Sequence, residues 1–216
     1  MAAFLIDLSP SDMQVRLGDA LTVYVDAMRY PRGTENQRAP MWLEHTRRPG
    51  WRAVAVVDTT PPGSGPSIIG APRSGPAEAA TAPLSRDALV TAPILGVAYG
   101  YRGAPDQWWQ QQVMRGLRHC GLPRDEITRL MGDYFELTEL HIHPGAQGRG
   151  LGEALVRRLL NGRDERNVLL STPETKSGDN RAWRLYRRLG FTDIIRGYCF
   201  AGDPREFAIL GRALPL

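Results

Sequence analysis

The sequence predicts an α/β domain: a mixed sheet with helices on both faces. Three observations carry that prediction. Short apolar runs of strand character recur along the chain, from Phe4 to the run that ends at Leu214. Stretches of helical periodicity lie between them rather than gathering at one end. And "LHIHP", residues 140–144, leads through a cluster of glycines directly into a helical pattern.

The elements follow in order. "FLIDL" (Phe4 to Leu8) alternates and predicts a first strand. Ser9 to Ser11 supply a cap for a helix over Met13 to Met28. "YPRGTENQRAP" (Tyr30 to Pro40) predicts a loop, "MWLEHTRR" (Met41 to Arg48) a short helix and "WRAVAVVD" (Trp51 to Asp58) a strand. From Thr59 to Pro93 the chain turns to Pro, Gly, Ala, Ser and Thr, and holds seven of its seventeen prolines. A surface insertion at 59–93 between two hairpin strands, mobile in part, is expected there, with a short turn near Leu84 to Leu89. "ILGVAYGYRG" (Ile94 to Gly103) is the next strand. "DQWWQQQVMRGLRHCG" sets Trp109, Val113 and Leu117 on one helical face, and "RDEITRLM" follows as a second helical piece. A hairpin needs only a few residues here, so 104–132 is expected to be a helical insertion. "YFELTELHIHP" (Tyr134 to Pro144) is the longest strand pattern. After the glycine turn come the buried strand "NVLLST", the helix "NRAWRLYRRLGF" closed by Gly190, and a hairpin of "GYCFA" and "EFAILGRAL".

Composition sets bounds on function. The 216 residues suit a single domain, 1–216, with insertions. Hydrophobic content of 42% supports a packed core, and no apolar run approaches a membrane span. "MAAFLIDLSPSD" lacks a basic segment followed by an apolar one, so the expected location is cytoplasmic. Cys120 and Cys199 make neither a disulfide framework nor a zinc site, and idle or buried thiols are expected. The net charge of +4 is almost all arginine, with Lys176 the one lysine. The arginines are scattered, which gives nucleic-acid binding no support. A mildly basic chain still attracts a polyanionic cofactor or an acidic partner.

Gly148, Gly150 and Gly152 alternate with Arg149 and Leu151 at the start of a helical pattern. Bare backbone N–H groups at a helix N-terminus form a nest for phosphate or pyrophosphate. Arg149 and Arg157 are candidates to add charge at its rim. A Walker A loop needs Lys where Glu153 stands, and a dinucleotide fingerprint needs Gly there, so both fail. A tight turn without a ligand is the structural alternative.

With Gln147 included, "QGRGLG" matches Q/R-x-x-G-x-G/A and resembles the signature of the GNAT family of acyl-CoA N-acyltransferases. "LHIHP" resembles that family's L-x-V-x-P strand end. "NRAWRLYRRLGF" resembles its N-x-x-A-x-x-x-Y-x-x-x-G-F motif, with Asn180, Tyr186, Gly190 and Phe191 in place. The resemblance covers about Tyr134 to Phe191, and the two insertions depart from the common pattern on the acceptor side. It implies a mostly antiparallel sheet with a V-shaped splay between strands four and five. It implies acetyl-CoA as co-substrate, without a metal. Residues Gln147, Gly148, Arg149, Gly150, Leu151 and Gly152 would hold the pyrophosphate. Leu140 and Ile142 would pair with the pantetheine amides, and Asn180 would bond the same arm.

Acyl transfer needs a base for the amine, a polarised thioester oxygen and an acid for the thiolate. In this family the transfer is direct, in a ternary complex. Tyr186 is the acid candidate, since a phenol is neutral at pH 7. Glu136 is the first base candidate, because it falls where the histone-acetylating branch of the family has its catalytic glutamate. Glu139 and His141 are the next, and His143 is expected in a turn. Strict alternation sets Glu136 with Leu140 and Ile142, and Glu139 with His141 and His143, unless a bulge intervenes. The backbone N–H of Ile142 is the expected oxyanion donor. The acceptor side is expected at Met28 to Trp42 and Gly202 to Glu206, with Arg29, Tyr30 and Trp42 as contacts. One of Trp108 and Trp109 is expected to face outwards. The function expected is N-acetylation of a primary amine, protein lysine slightly favoured. A small-molecule amine acceptor and a non-catalytic acyl-CoA-binding module are the alternatives. The expected chain is a monomer or homodimer without nucleic-acid or membrane partners.

Overall fold

The computed structural model describes residues 2–60, 85–174 and 181–216. Its first half runs β1 (Ala3–Leu8), α1 (Pro10–Val15), α2 (Leu17–Met28), α3 (Thr34–His45), β2 (Arg52–Asp58), α4 (Arg86–Thr91) and β3 (Ile94–Arg102). The second runs α5 (Trp108–His119), α6 (Arg124–Met131), β4 (Tyr134–Ile142), α7 (Leu151–Leu160), β5 (Asn167–Pro173), α8 (Arg181–Arg188), β6 (Thr192–Cys199) and β7 (Glu206–Ala213). Most of the insertion expected at 59–93, and Asn180, lie outside the described residues.

The strands form one sheet in the order β1-β2-β3-β4-β5-β7-β6. β4 and β5 are parallel and the other pairs antiparallel. Alternation along β2 explains the layering. Ala53, Ala55 and Val57 join Met13, Leu21, Val25 and Trp42 on one face, while Val54 and Val56 join Leu155, Leu159 and Leu189 on the other. Thus α1–α3 cover the β1–β4 half of the first face, and α7 and α8 cover the second face. The helical pair between β3 and β4 covers what remains. Trp109, Val113, Leu117 and Ile127 pack on Tyr134, Leu169, Ile195 and Ile209.

Two local readings are corrected. The helix expected over Met13 to Met28 breaks at Arg16, which leaves helical geometry (φ −96°, ψ 10°). Its start is as expected: Ser9 accepts from the Asp12 N–H, and Asp12 accepts in return from the Ser9 N–H, a reciprocal cap. The loop expected over Tyr30 to Pro40 ends early, because α3 already begins at Thr34 behind Gly33 at φ +97° and runs through Pro40. Trp109 is buried and Trp108 is 52% exposed, as two neighbours on one helix require. Cys120 and Cys199 are free and exposed. Among the described residues no helix is long and apolar enough to cross a membrane.

The feature that positions a site is the junction of β4 and β5. They pair only at Tyr134↔Asn167, Phe135↔Val168 and Glu136↔Leu169. Beyond Glu136, β4 stays with β3 and β5 stays with β7, so the two strands splay apart.

Candidate active site

The splay opens on a face whose side chains are set by one irregularity. Tyr99 pairs with Glu139, but Gly100 pairs with Leu137, so Thr138 is an extra residue bulged out of β4. A Cβ on Gly100 would lie 2.1 Å from the Glu136 carbonyl oxygen, so only glycine fits beside the bulge. The bulge changes parity. Strict alternation set Glu136 with Leu140 and Ile142. Instead Glu136, Glu139 and His141 share the face of Tyr99 and Tyr101, while Leu140 and Ile142 turn to the α7 side.

Glu136 sits at the closed end of the splay. Its side chain is enclosed; Tyr101 Oη donates to Oε1 at 3.3 Å, and Oε2 has no partner among the described residues. Burial raises its pKa to about 8, against the pull of Arg48. At pH 7 it is mostly a neutral acid. Glu139 lies three residues further out, where the strands have parted, and its Oε2 is 2.5 Å from His141 Nε2. The His141 ring meets Tyr24 edge to face at 4.8 Å.

Tyr186 comes to the splay from α8. Burial raises its pKa first, and the charge of Glu139 raises it further. The phenol is therefore protonated throughout the physiological range and lies within the field of Glu139. The side chains of Glu139 and Tyr186 belong to opposite faces of the sheet, and they approach each other only because the strands separate there.

Backbone polarity along the open edge follows from one hydrogen bond. The His143 N–H donates to the Leu95 carbonyl, 2.8 Å away, so His143 and His141 direct their amides at β3. Leu140 and Ile142 then direct theirs into the splay. The Ile142 carbonyl is taken by Gln147 Nε2 at 3.1 Å, which leaves the Ile142 N–H pointing at the gap. Gln147 Oε1 in turn accepts from Arg181 at 2.8 Å, so this side chain clamps the turn to both β4 and α8. Gly148 (φ +79°) and Gly150 (φ +77°) occupy left-handed backbone that side chains resist. They turn the chain so that α7 begins at Leu151 with its N-terminus at the mouth of the splay. Such an end carries unpaired N–H groups and positive potential. Arg157, a candidate for this rim, pairs with Glu153 at 2.9 Å.

Comparison with known proteins fits this arrangement to a family. A family model described as an acetyltransferase (GNAT) domain matches residues 117–193. A GCN5-like protein acetyltransferase of Mycobacterium tuberculosis is 71% identical over 216 residues, all of both chains. The chain belongs to the GNAT family of acetyltransferases. The ribosomal protein bS18-alanine N-acetyltransferase of Escherichia coli K12 is 35% identical over 92 residues, 42% of this chain and 62% of that protein. The crystal structure of Arabidopsis thaliana NAA60 in complex with acetyl-CoA superposes with a TM-score of 0.56, covering 99% of each chain at 16% identity. That likeness is one of fold.

On the GNAT sheet, two segments flank the splay on the Glu139 side. Tyr30 follows α2 and Arg205 precedes β7; Arg205 Nη1 donates to Tyr30 Oη at 2.9 Å, joining residues 175 positions apart. Tyr30 packs edge to face on Tyr24 at 5.5 Å. Trp42, expected as an acceptor contact, is a core residue 1% exposed. Arg29 is exposed at the end of α2, in left-handed geometry (φ 55°). His143 caps the short turn after β4 by accepting from the Gly145 N–H. Sequence reasoning missed Tyr24, Tyr99 and Tyr101, which wall the carboxylates. Tyr99 and Tyr101 stand two apart in "VAYGYR", and that period-two spacing was the available signal.

Proposed function

We propose that the chain transfers an acetyl group from acetyl-CoA to a primary amine, a protein lysine, by direct attack within the splay. The observation that carries this reading is the parting of β4 from β5 beyond Glu136. It leaves the Leu140 and Ile142 amides facing the gap, with the glycine turn at its mouth and Glu139 and Tyr186 inside. The pantetheine arm would add as a strand to the open edge of β4. The pyrophosphate would rest on the N–H groups of residues 147–152.

The roles follow from position. Glu139 takes a proton from the ammonium group, since it stands where the strands have parted and His141 is within hydrogen-bond distance. Glu136 is enclosed at the closed end; protonated at neutral pH, it adds no second negative charge beside Glu139. The Ile142 N–H donates to the thioester oxygen as negative charge develops there. Tyr186 donates to the leaving thiolate. The protein acceptor rests on the name of the relative that is 71% identical, and the basic surface agrees with it.

The test is release of free thiol from acetyl-CoA with a panel of lysine-containing proteins, peptides and small amines. Glu139→Gln and Tyr186→Phe are expected to lower kcat by about 100-fold or more. Glu136→Gln should cost less. Acetyl-CoA binding without thiol release on any acceptor would favour the binding-module reading. A variant ranking in which Glu136→Gln is the most damaged would move the base to Glu136.

A further inference from the structure

The acceptor side of the splay carries a half-buried arginine for which no hydrogen-bond acceptor stands among the described residues. Four arginines stand near its mouth: Arg29, Arg32, Arg38 and Arg205. Arg32 is held by Asp26 at 2.7 Å and Glu35 at 3.4 Å. Arg205 is held by Asp203 at 2.6 Å and by Tyr30. Arg29 is exposed at the end of α2. Arg38 differs from all three. It is half-buried on α3, its guanidinium lies over the Tyr24 ring at 5.9 Å, and no carboxylate or carbonyl of the described residues accepts from it. Asp203 is close enough for Arg38 to lower its pKa as a minor contribution, but both Asp203 oxygens are engaged by Arg205.

Tyr24 connects this cation to the reacting groups. Its ring is 4.8 Å from that of His141, which contacts Glu139. The Arg38 guanidinium is therefore no farther from the imidazole than those two separations together, about 11 Å. A lysine side chain spans about 6 Å from Cα to its ammonium, and residues along an extended chain rise about 3.3 Å each. With the lysine ammonium at Glu139, the side chain of a residue one or two positions away falls within reach of Arg38. A half-buried guanidinium with free donors suits a carboxylate, which it can bind through two parallel hydrogen bonds.

We infer that Arg38 is a specificity-determining residue that selects amines carrying a carboxylate one or two residues from the reacting nitrogen, an acidic residue flanking the target lysine. This rests on the reading of the splay as the site of amine acetylation. The same chemistry is presented by the α-carboxylate of a free amino acid, and the experiment separates the two sources.

The experiment compares kcat/KM on three peptides that differ only beside the lysine, with Glu, Gln or Lys there, and on free lysine against lysine amide. Wild type is expected to prefer the Glu peptide over the Gln peptide by about tenfold, and over the Lys peptide by more. Arg38→Gln should erase the preference with little change on the Gln peptide. Arg38→Glu should invert it in favour of the Lys peptide, a reversal that loss of packing does not produce. Thermal unfolding of both variants checks that the fold is intact. A preference for free lysine over its amide, with flanking residues without effect, would name the α-carboxylate as the source. Equal rates on all three peptides together with equal rates on free lysine and its amide in wild type, or a carboxylate preference that survives Arg38→Glu, would overturn the inference while leaving acetyl transfer in place. Absence of turnover on every amine would instead overturn the proposed function, and this inference with it.

Discussion

Glu136 holds a carboxyl group in a place where ionisation is costly, and the cost has a pH signature. Its pKa stands at about 8 in the folded protein against an ordinary 4.5, and burial is the main cause. Below the ordinary value both folded and unfolded chains keep the proton, and the residue contributes no slope. Between the two values the unfolded chain releases a proton that the folded chain retains. Stability then falls as pH rises, by up to about 1.4 kcal/mol per pH unit from this group, and levels off above pH 8. Glu136→Gln removes the titration while keeping the shape. Denaturant unfolding at pH 5 and pH 8 should show the variant gaining on wild type as pH rises. Parallel pH dependence in the two proteins would mean that the carboxyl is solvated. The neighbours Tyr101 and Tyr134 do not share this window, because burial raises both phenols.

At the scale of the element, β4 works because of Thr138. The extra residue lets Leu137 and Leu140 face the α7 core while Glu136, Glu139 and His141 all face the other way. Deleting Thr138 would restore strict alternation and keep those facings, so the deletion variant is expected to fold. It would also remove the local bend that aims Glu139 at the gap, and displacement of a reacting group by about 1 Å costs on the order of 100-fold in rate. A soluble, acetyl-CoA-binding variant with kcat lowered to that degree is the expected result; full activity would show that the bulge does not aim Glu139. The bulge also marks where sequence stops being informative. The strand, the glycine turn and α7 were legible from periodicity and from residues 147–152, since each is a local pattern. The side on which Glu136 stands was not, because one added residue reverses a period of two and leaves composition unchanged. The start of α3 was hidden for a related reason. Pro31 and Gly33 read as punctuation, yet Gly33 is the residue that opens the helix. Arg16 breaks a helix whose apolar spacing runs on past it, with Gly18 two residues further as the one local mark.

At the scale of the molecule, the site is where three layers meet across a gap rather than a cavity within one element. The helices α1–α3 supply Tyr24 and Arg38, β4 supplies the carboxylates, and α8 supplies Tyr186. The turn before β7 closes the circuit through Arg205 and Tyr30. Sequence named Tyr30 and the segment Gly202 to Glu206 on the acceptor side but not the bond between Tyr30 and Arg205, since 175 positions separate them. The bond is exposed, so its contribution to stability is small, about 0–1 kcal/mol. Its consequence is geometric: it ties the β6–β7 turn to the α2–α3 loop, which on the proposed reading sets the width of the acceptor mouth. Arg205→Ala is therefore expected to leave unfolding and the KM for acetyl-CoA nearly unchanged. On the proposed reading, in which the acceptor enters beside this link, the KM for the amine should rise several-fold. Tyr30→Phe removes the same bond and should match it, while the double variant should add little to either single one, as partners in one interaction require. Steady-state kinetics on one lysine peptide decides this. Effects that add in the double variant would mean that Arg205 and Tyr30 meet the acceptor separately and the link between them is incidental.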